Sequence, residues 1–181
     1  MNKEKIRILA KVMLVAGSMT IGAKIPYSLM DVPGTFQTFF LCLTALLFTR
    51  WEVLSGQALY LILGIFFPVF SHEIYHGQAV FMGYSAGYIY GFLPAAFLVS
   101  WMVKGEKADL FTLISMAVMA HFTVLLFGIT WLHFHENMEW NKALFQGGII
   151  FLPGAFMKSA LAGVLVFLMH RYVLKNKKLT A

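Results

Sequence analysis

The chain is short of charge and of cysteine, and each shortage narrows what it can be. Only 12% of its 181 residues are charged, with 8 acidic side chains against 14 lysines and arginines. Soluble domains carry about a quarter charged residues, so water is not the solvent this sequence suits. The single cysteine, Cys42, lies inside an apolar run and has no intrachain partner for a disulfide. A phosphate-binding loop is also missing. Gly17-Ser-Met-Thr-Ile-Gly22-Ala-Lys24 has one residue too many before the lysine and neither Ser nor Thr after it, so this chain is not expected to hydrolyse ATP by itself. The first apolar run lacks a small-x-small cleavage site and passes straight into Lys24-Ile25-Pro26. It is therefore expected to persist as a span.

What remains is apolar: 60% hydrophobic residues, including 18 Phe and 11 Met. Apolar stretches fall at 6–23, 36–49, 52–70, 83–103, 109–128 and 146–169. At about 20 residues per crossing, they predict an all-α integral membrane protein. It is read as a single multi-pass domain over 1–181 with six transmembrane helices. Thr49-Arg50-Trp51 alone joins the second and third runs, which predicts a tight helical hairpin. Gly64 and Pro68 interrupt the third run, and Pro153-Gly154 is expected to break the entrance of the last.

Basic residues orient the spans. One side receives Lys3, Lys5, Arg7 and Lys11, then Arg50, Lys104 and Lys107, then Arg171, Lys175, Lys177 and Lys178. That side is the cytoplasm, and it holds both termini. The net charge of +6 is accounted for by this asymmetry, leaving no need for a nucleic-acid partner. The opposite connections, 24–35, 71–82 and 129–145, are longer and contain Asp31, His72, Glu73, His76, His133, His135, Glu136 and Glu139.

Lys158 is the cation that topology leaves inside, at the head of the apolar run Ala155–Met169. An ammonium within a span faces a cavity, a partner or a ligand path. Lys11 is also embedded in an apolar run but lies close enough to a helix end to snorkel out. A buried cation beneath elaborate outer loops points to an acidic small molecule. Thr35 and Gln37 open the second run: Thr35 suits a helix cap, and Gln37 suits either a helix bridge or a cavity wall. Gly83, Gly87 and Gly91 recur every four residues and permit close helix approach, with Tyr84 and Tyr88 in a parallel stripe. The glycines need only packing to explain them, whereas the tyrosines suit stacking on a flat ligand or donation to its acid. His121 reads first as an imidazole satisfied by a neighbouring helix. Ser18 and Gly22, with Ala16 and Thr20, make a small-residue surface on the first run that suits docking against another helix.

His72-Glu73-Ile74-Tyr75-His76 matches H-E-x-x-H, in which two imidazoles one turn apart bind zinc and the Glu activates water. It lies in a connection between Pro68 and Gly77 rather than mid-helix. A third ligand would have to come from His133, His135 or Glu136. A small membrane zinc metalloprotease using His72, Glu73 and His76 thus stands as the alternative from another class. The leading expectation is a binding subunit with no metal and no cofactor.

Taken in order, five segments resemble the BioY family, the substrate-binding S components of biotin energy-coupling-factor (ECF) transporters. They are Val32-Pro-Gly-Thr-Phe-Gln-Thr38; Tyr60–Gly64 with Pro68-Val69-Phe70; Gly83–Phe92; Gly128 with Trp131-Leu132; and Phe151-Leu-Pro-Gly154 with Lys158. The resemblance covers about residues 20–165. It implies a six-helix bundle in the cell membrane with an outward vitamin cavity, a membrane coupling (T) subunit and two cytoplasmic ATPases. It places Gln37, Tyr88 and Lys158 at the pocket, to which the residue reading adds Thr35 and Tyr84. Where the family usually has Asp after Pro-Gly, this chain has Ala155, which makes the ring end of the pocket less polar. Biotin is the first expectation. A related ring-bearing acid such as lipoate is the alternative that Ala155 favours.

Overall fold

The computed structural model describes residues 2–29, 32–70, 78–103 and 108–179. The chain is mostly helical. Helix α1 spans Lys3–Ala23 and leads into an antiparallel hairpin of β1, Pro26–Leu29, and β2, Val32–Thr35, in which Pro26 pairs with Thr35. Then follow α2 (Gln37–Leu47), α3 (Arg50–Phe66), a single turn α4 (Gln78–Phe81) and α5 (Ala86–Met102). The chain continues with α6 (Leu110–Phe134), α7 (Trp140–Gly147), a 3-10 turn at Ile149–Phe151, and α8 (Leu152–Leu179). By length and apolarity α1, α6 and the stretch Trp140–Tyr172 are able to cross a bilayer, while α2 and α5 are apolar but shorter.

Local chemistry explains the boundaries. Asn2 caps α1 by accepting from the Glu4 amide, and Asp109 caps α6. The Asp109 carboxylate accepts from the Thr112 hydroxyl at 2.7 Å and the Thr112 amide at 3.0 Å, which holds it below the usual carboxylate range. At the α2–α3 link, Glu52 Oε2 accepts from the Thr49 amide at 2.9 Å. That link is as short as expected, yet α2 and α3 barely touch: α1 packs against both, and α2 turns instead to α8 and α5. The side-by-side hairpin expected from the short link is therefore replaced by two helices that diverge from a shared corner.

Three further boundaries differ from the hydropathy reading. Helix α3 stops at Phe66, before Pro68, and the chain folds back so that the Phe70 ring lies over Gly64 and packs edge-on against Tyr60 at 5.1 Å. Helix α6 runs on to Phe134, and the connection read as 129–145 is mostly helix, with a turn at Asn137 (φ 53°) before α7. Pro153 does not break the last helix. It sits in the first turn of α8, where a missing amide costs nothing.

The core lies where the long helices meet. Val15, Met19, Leu41, Cys42, Val53, Tyr60, Ala96, Val99, Leu113, Ala117 and Val166 are buried. Glycines on α5 set its approach to α6, since a methyl at Gly87 would overlap Trp131 and the Phe127 carbonyl, and one at Gly91 would press on Val124. The outer surface is apolar as well: Trp51, Phe66, Phe111, Leu126 and Tyr172 are all exposed. Lys11 has a partner that its position in an apolar run did not announce. It crosses to Glu52 in the first turn of α3, Nζ to Oε1 2.7 Å, and gives a mostly buried carboxylate its counter-ion.

Candidate functional site

A cavity of about 570 Å³ opens between the β-hairpin, the start of α2, the N-terminal end of α5, α6 and α8. All five expected site residues, Thr35, Gln37, Tyr84, Tyr88 and Lys158, line it. They come from β2, α2, α5, α8 and the turn before α5, up to 123 positions apart, the separation of Thr35 and Lys158.

The β-hairpin delivers Thr35, and the turn into α2 delivers Gln37. Thr35 does not cap α2: its hydroxyl donates to Gln37 Oε1 at 2.8 Å. Gln37 Nε2 in turn donates to the Tyr60 hydroxyl at 2.7 Å, and Tyr60 donates to the Val69 carbonyl at 3.3 Å. Gln37 is thus both cavity lining and a bridge between α2 and α3. The chain of bonds fixes its amide and ties the segment after α3 to the pocket wall. A satisfied polar network of this kind holds one geometry, since breaking any member leaves a buried group unpaired.

Lys158 reaches the cavity from the second turn of α8. It is 6% exposed, and its Nζ donates to the Thr35 carbonyl at 3.2 Å. The ammonium therefore stands at the level of the β-hairpin. Its charge thus lies among the residues that line the cavity. Lys24, read from the sequence only as an outer-side residue, also lines the cavity and is exposed.

Tyr88 enters because Gly128 on α6 makes room for it; a methyl there would overlap its ring. Its hydroxyl donates to the Gly147 carbonyl at 2.8 Å, and its ring meets Phe151 edge-on at 6.0 Å. The hydroxyl already has an acceptor, which favours the stacking role over donation to an acid. Tyr84 is half exposed at the cavity rim.

His121 was read as satisfied by another helix, and the structure agrees only in part. Its Nδ1 lies 3.0 Å from the Ala117 carbonyl and 3.0 Å from Ser159 Oγ, while Nε2 is buried with no partner among the described residues. A buried polar atom left so costs about 1–3 kcal/mol. The remaining wall is Phe70, Ile89, Phe92, Val124, Leu125 and Phe151, with Gln146 of α7. No sequence signal separates these apolar side chains from ordinary core, and Gln146, the first residue of the last apolar run, carries no pattern that marks it.

His72, Glu73, His76 and Asp31 lie outside the described residues. Among the described residues no group of three or more His, Cys, Asp or Glu is placed to hold a metal. His133 turns its Nδ1 to the Met138 carbonyl at 2.8 Å and stacks on Trp140. His135 stacks on Trp131 and meets Glu136 at 3.2 Å.

A family model described as the BioY family matches residues 1–175. The chain is 29% identical over 159 residues to biotin transporter BioY2 of Lactococcus lactis subsp. cremoris, covering 87% of this chain and 85% of that protein. To biotin transporter BioY of Thermotoga maritima it is 27% identical over 161 residues, covering 88% and 94%. Its fold is similar to a crystal structure of the S-component for biotin from an ECF-type ABC transporter, with a TM-score of 0.81 over 94% of each chain at 22% identity.

Proposed function

The chain belongs to the BioY family, and from this membership we propose that it is the substrate-binding S subunit of an ECF-type importer whose substrate is biotin. It is a transport subunit rather than an enzyme: it binds and releases, and ATP hydrolysis falls to its partners. The observation that carries this reading is the convergence of Thr35, Gln37, Tyr84, Tyr88 and Lys158 on one cavity.

Each has a role that follows from its surroundings. The ligand carboxylate meets the Lys158 ammonium near the Thr35 carbonyl, where a charge-assisted bond in a dry site is strong. The body of the ligand lies against Tyr84, Tyr88 and the apolar face of α5. Gln37 and Thr35, locked to each other, shape the wall beside the acid. Six spans place both termini in the cytoplasm, in a multi-pass arrangement in the cell membrane. A membrane coupling subunit and two cytoplasmic ATPases complete the importer.

Ala155 favours a second substrate, a ring-bearing acid without polar ring atoms such as lipoate, because it leaves that wall apolar. Thermal unfolding of the detergent-solubilised protein with biotin or with lipoate decides between them. At a hundredfold excess over Kd, a bound ligand adds about 2.7 kcal/mol. The expected result is a rise in Tm with biotin. A rise with lipoate alone overturns the substrate assignment, and no rise with either overturns the role of the cavity.

A further inference from the structure

We infer that Lys24 steers the acid of the ligand toward this cavity and so sets how fast the ligand enters, while holding it falls to groups deeper inside. The inference rests on the reading of the cavity as the site of a carboxylate ligand and adds the residue that governs its arrival.

Charge on the lining is the first observation. Among the described residues the cavity is lined by two lysines, Lys24 and Lys158, and by no carboxylate. The two differ in exposure. Lys158 is 6% exposed, whereas Lys24 is open to solvent and has no ion-pair partner among the described residues. Glu136 and Glu139, at the turn between α6 and α7, are not part of that lining. An exposed cation without a counter-ion keeps its field for whatever anion approaches.

Backbone bonds fix where that charge stands, and they are an independent observation. The Lys24 amide closes α1 on the Thr20 and Ile21 carbonyls at 3.2 and 3.0 Å. The next carbonyl, that of Ile25, accepts from the Phe36 amide at 3.3 Å. Phe36 follows Thr35, whose own carbonyl accepts from Lys158, and Thr35 pairs with Pro26 across the hairpin. Both lysines are thus tied to the foot of one β-hairpin, one exposed and one buried. Whichever rotamer Lys24 takes, its ammonium stays within one side-chain length of its backbone, less than the Debye length of about 8 Å at physiological salt. A ligand acid entering beside the hairpin therefore passes through its field, and steering needs no aimed hydrogen bond. In water such a charge holds an acid only weakly. Charges at a rim act instead on the association rate and its salt dependence.

The test is stopped-flow measurement of association and dissociation rates for biotin and for its neutral alcohol, biotinol, in a non-ionic detergent. It compares the wild type with Lys24→Gln, Lys24→Glu and Lys3→Gln. Lys3→Gln removes the same charge about 30 Å away along α1. At low salt Lys24→Gln is expected to slow association of biotin about threefold, and Lys24→Glu about tenfold. Dissociation, the rates for biotinol and the rates of Lys3→Gln should stay near those of the wild type. At about 0.5 M salt the effect on biotin should vanish. Equal slowing of biotin and biotinol, a change confined to dissociation, an equal effect of Lys3→Gln, or no effect at all overturns the role of Lys24. If the wild type does not bind biotin, the substrate reading fails, and the same comparison with lipoate and neutral lipoamide decides the inference. Binding of neither acid overturns both.

Discussion

Lys158 is tied to Thr35 across 123 positions of sequence, and its effect on binding is separable from its effect on folding. Lys158→Ala is expected to weaken biotin by about 1.5–3 kcal/mol, the range for a hydrogen bond to a charged group. The same variant should bind biotin and biotin methyl ester about equally, whereas the wild type prefers the acid. Calorimetric titration with both ligands checks this, and a retained preference for the acid would remove Lys158 from the role. Tyr60→Phe is a different experiment. It leaves the Gln37 amide without its acceptor, and is expected to cost about 1–2 kcal/mol of stability, read as a lower Tm without ligand. Lys158 was legible in the sequence because a charge inside an apolar run is conspicuous by itself. The pairing of Gln37 with Tyr60 was not, since hydropathy carries no trace of which distant hydroxyl an amide will meet.

At the scale of elements, glycine placement sets how closely α5 and α6 approach. A methyl at Gly87 would overlap Trp131 and backbone, whereas Gly17 on α1 has open space around it. Gly87→Ala is therefore expected to destabilise by about 1–3 kcal/mol, and Gly17→Ala to be neutral or slightly stabilising, with its higher helix propensity. Thermal unfolding in one detergent compares the two directly. Gly128→Val should push the Tyr88 ring from its place and weaken ligand binding more than Gly17→Ala does. The repeat of small residues on α5 was visible in the sequence as a packing device, but its partner was not. The connection 129–145 was misjudged for a related reason: α6 continues past Gly128 and α7 follows with polar Asn141, Lys142 and Gln146, so neither reads as an uninterrupted apolar run. Helix α3 ends early because Phe67 turns extended before Pro68.

For the whole molecule, the proposed orientation makes a prediction of its own. In a Cys42→Ala background, Glu139→Cys is expected to react with a membrane-impermeant thiol reagent from outside intact cells. Asp109→Cys should react only after permeabilisation. The opposite pattern would invert the topology. By itself the sequence determined the solvent, the helical class and the presence of a cation where lipid or protein must surround it. Hydropathy and charge are properties of each residue that add along the chain, so these features are legible without coordinates. Only the tertiary structure decided that Lys11 meets Glu52, that Thr35, Gln37 and Tyr60 form one bonded chain, and that His121 keeps a ring nitrogen without a partner among the described residues. Those outcomes depend on distances between groups far apart in sequence, which the angles and close approaches of packed helices set and no local pattern encodes.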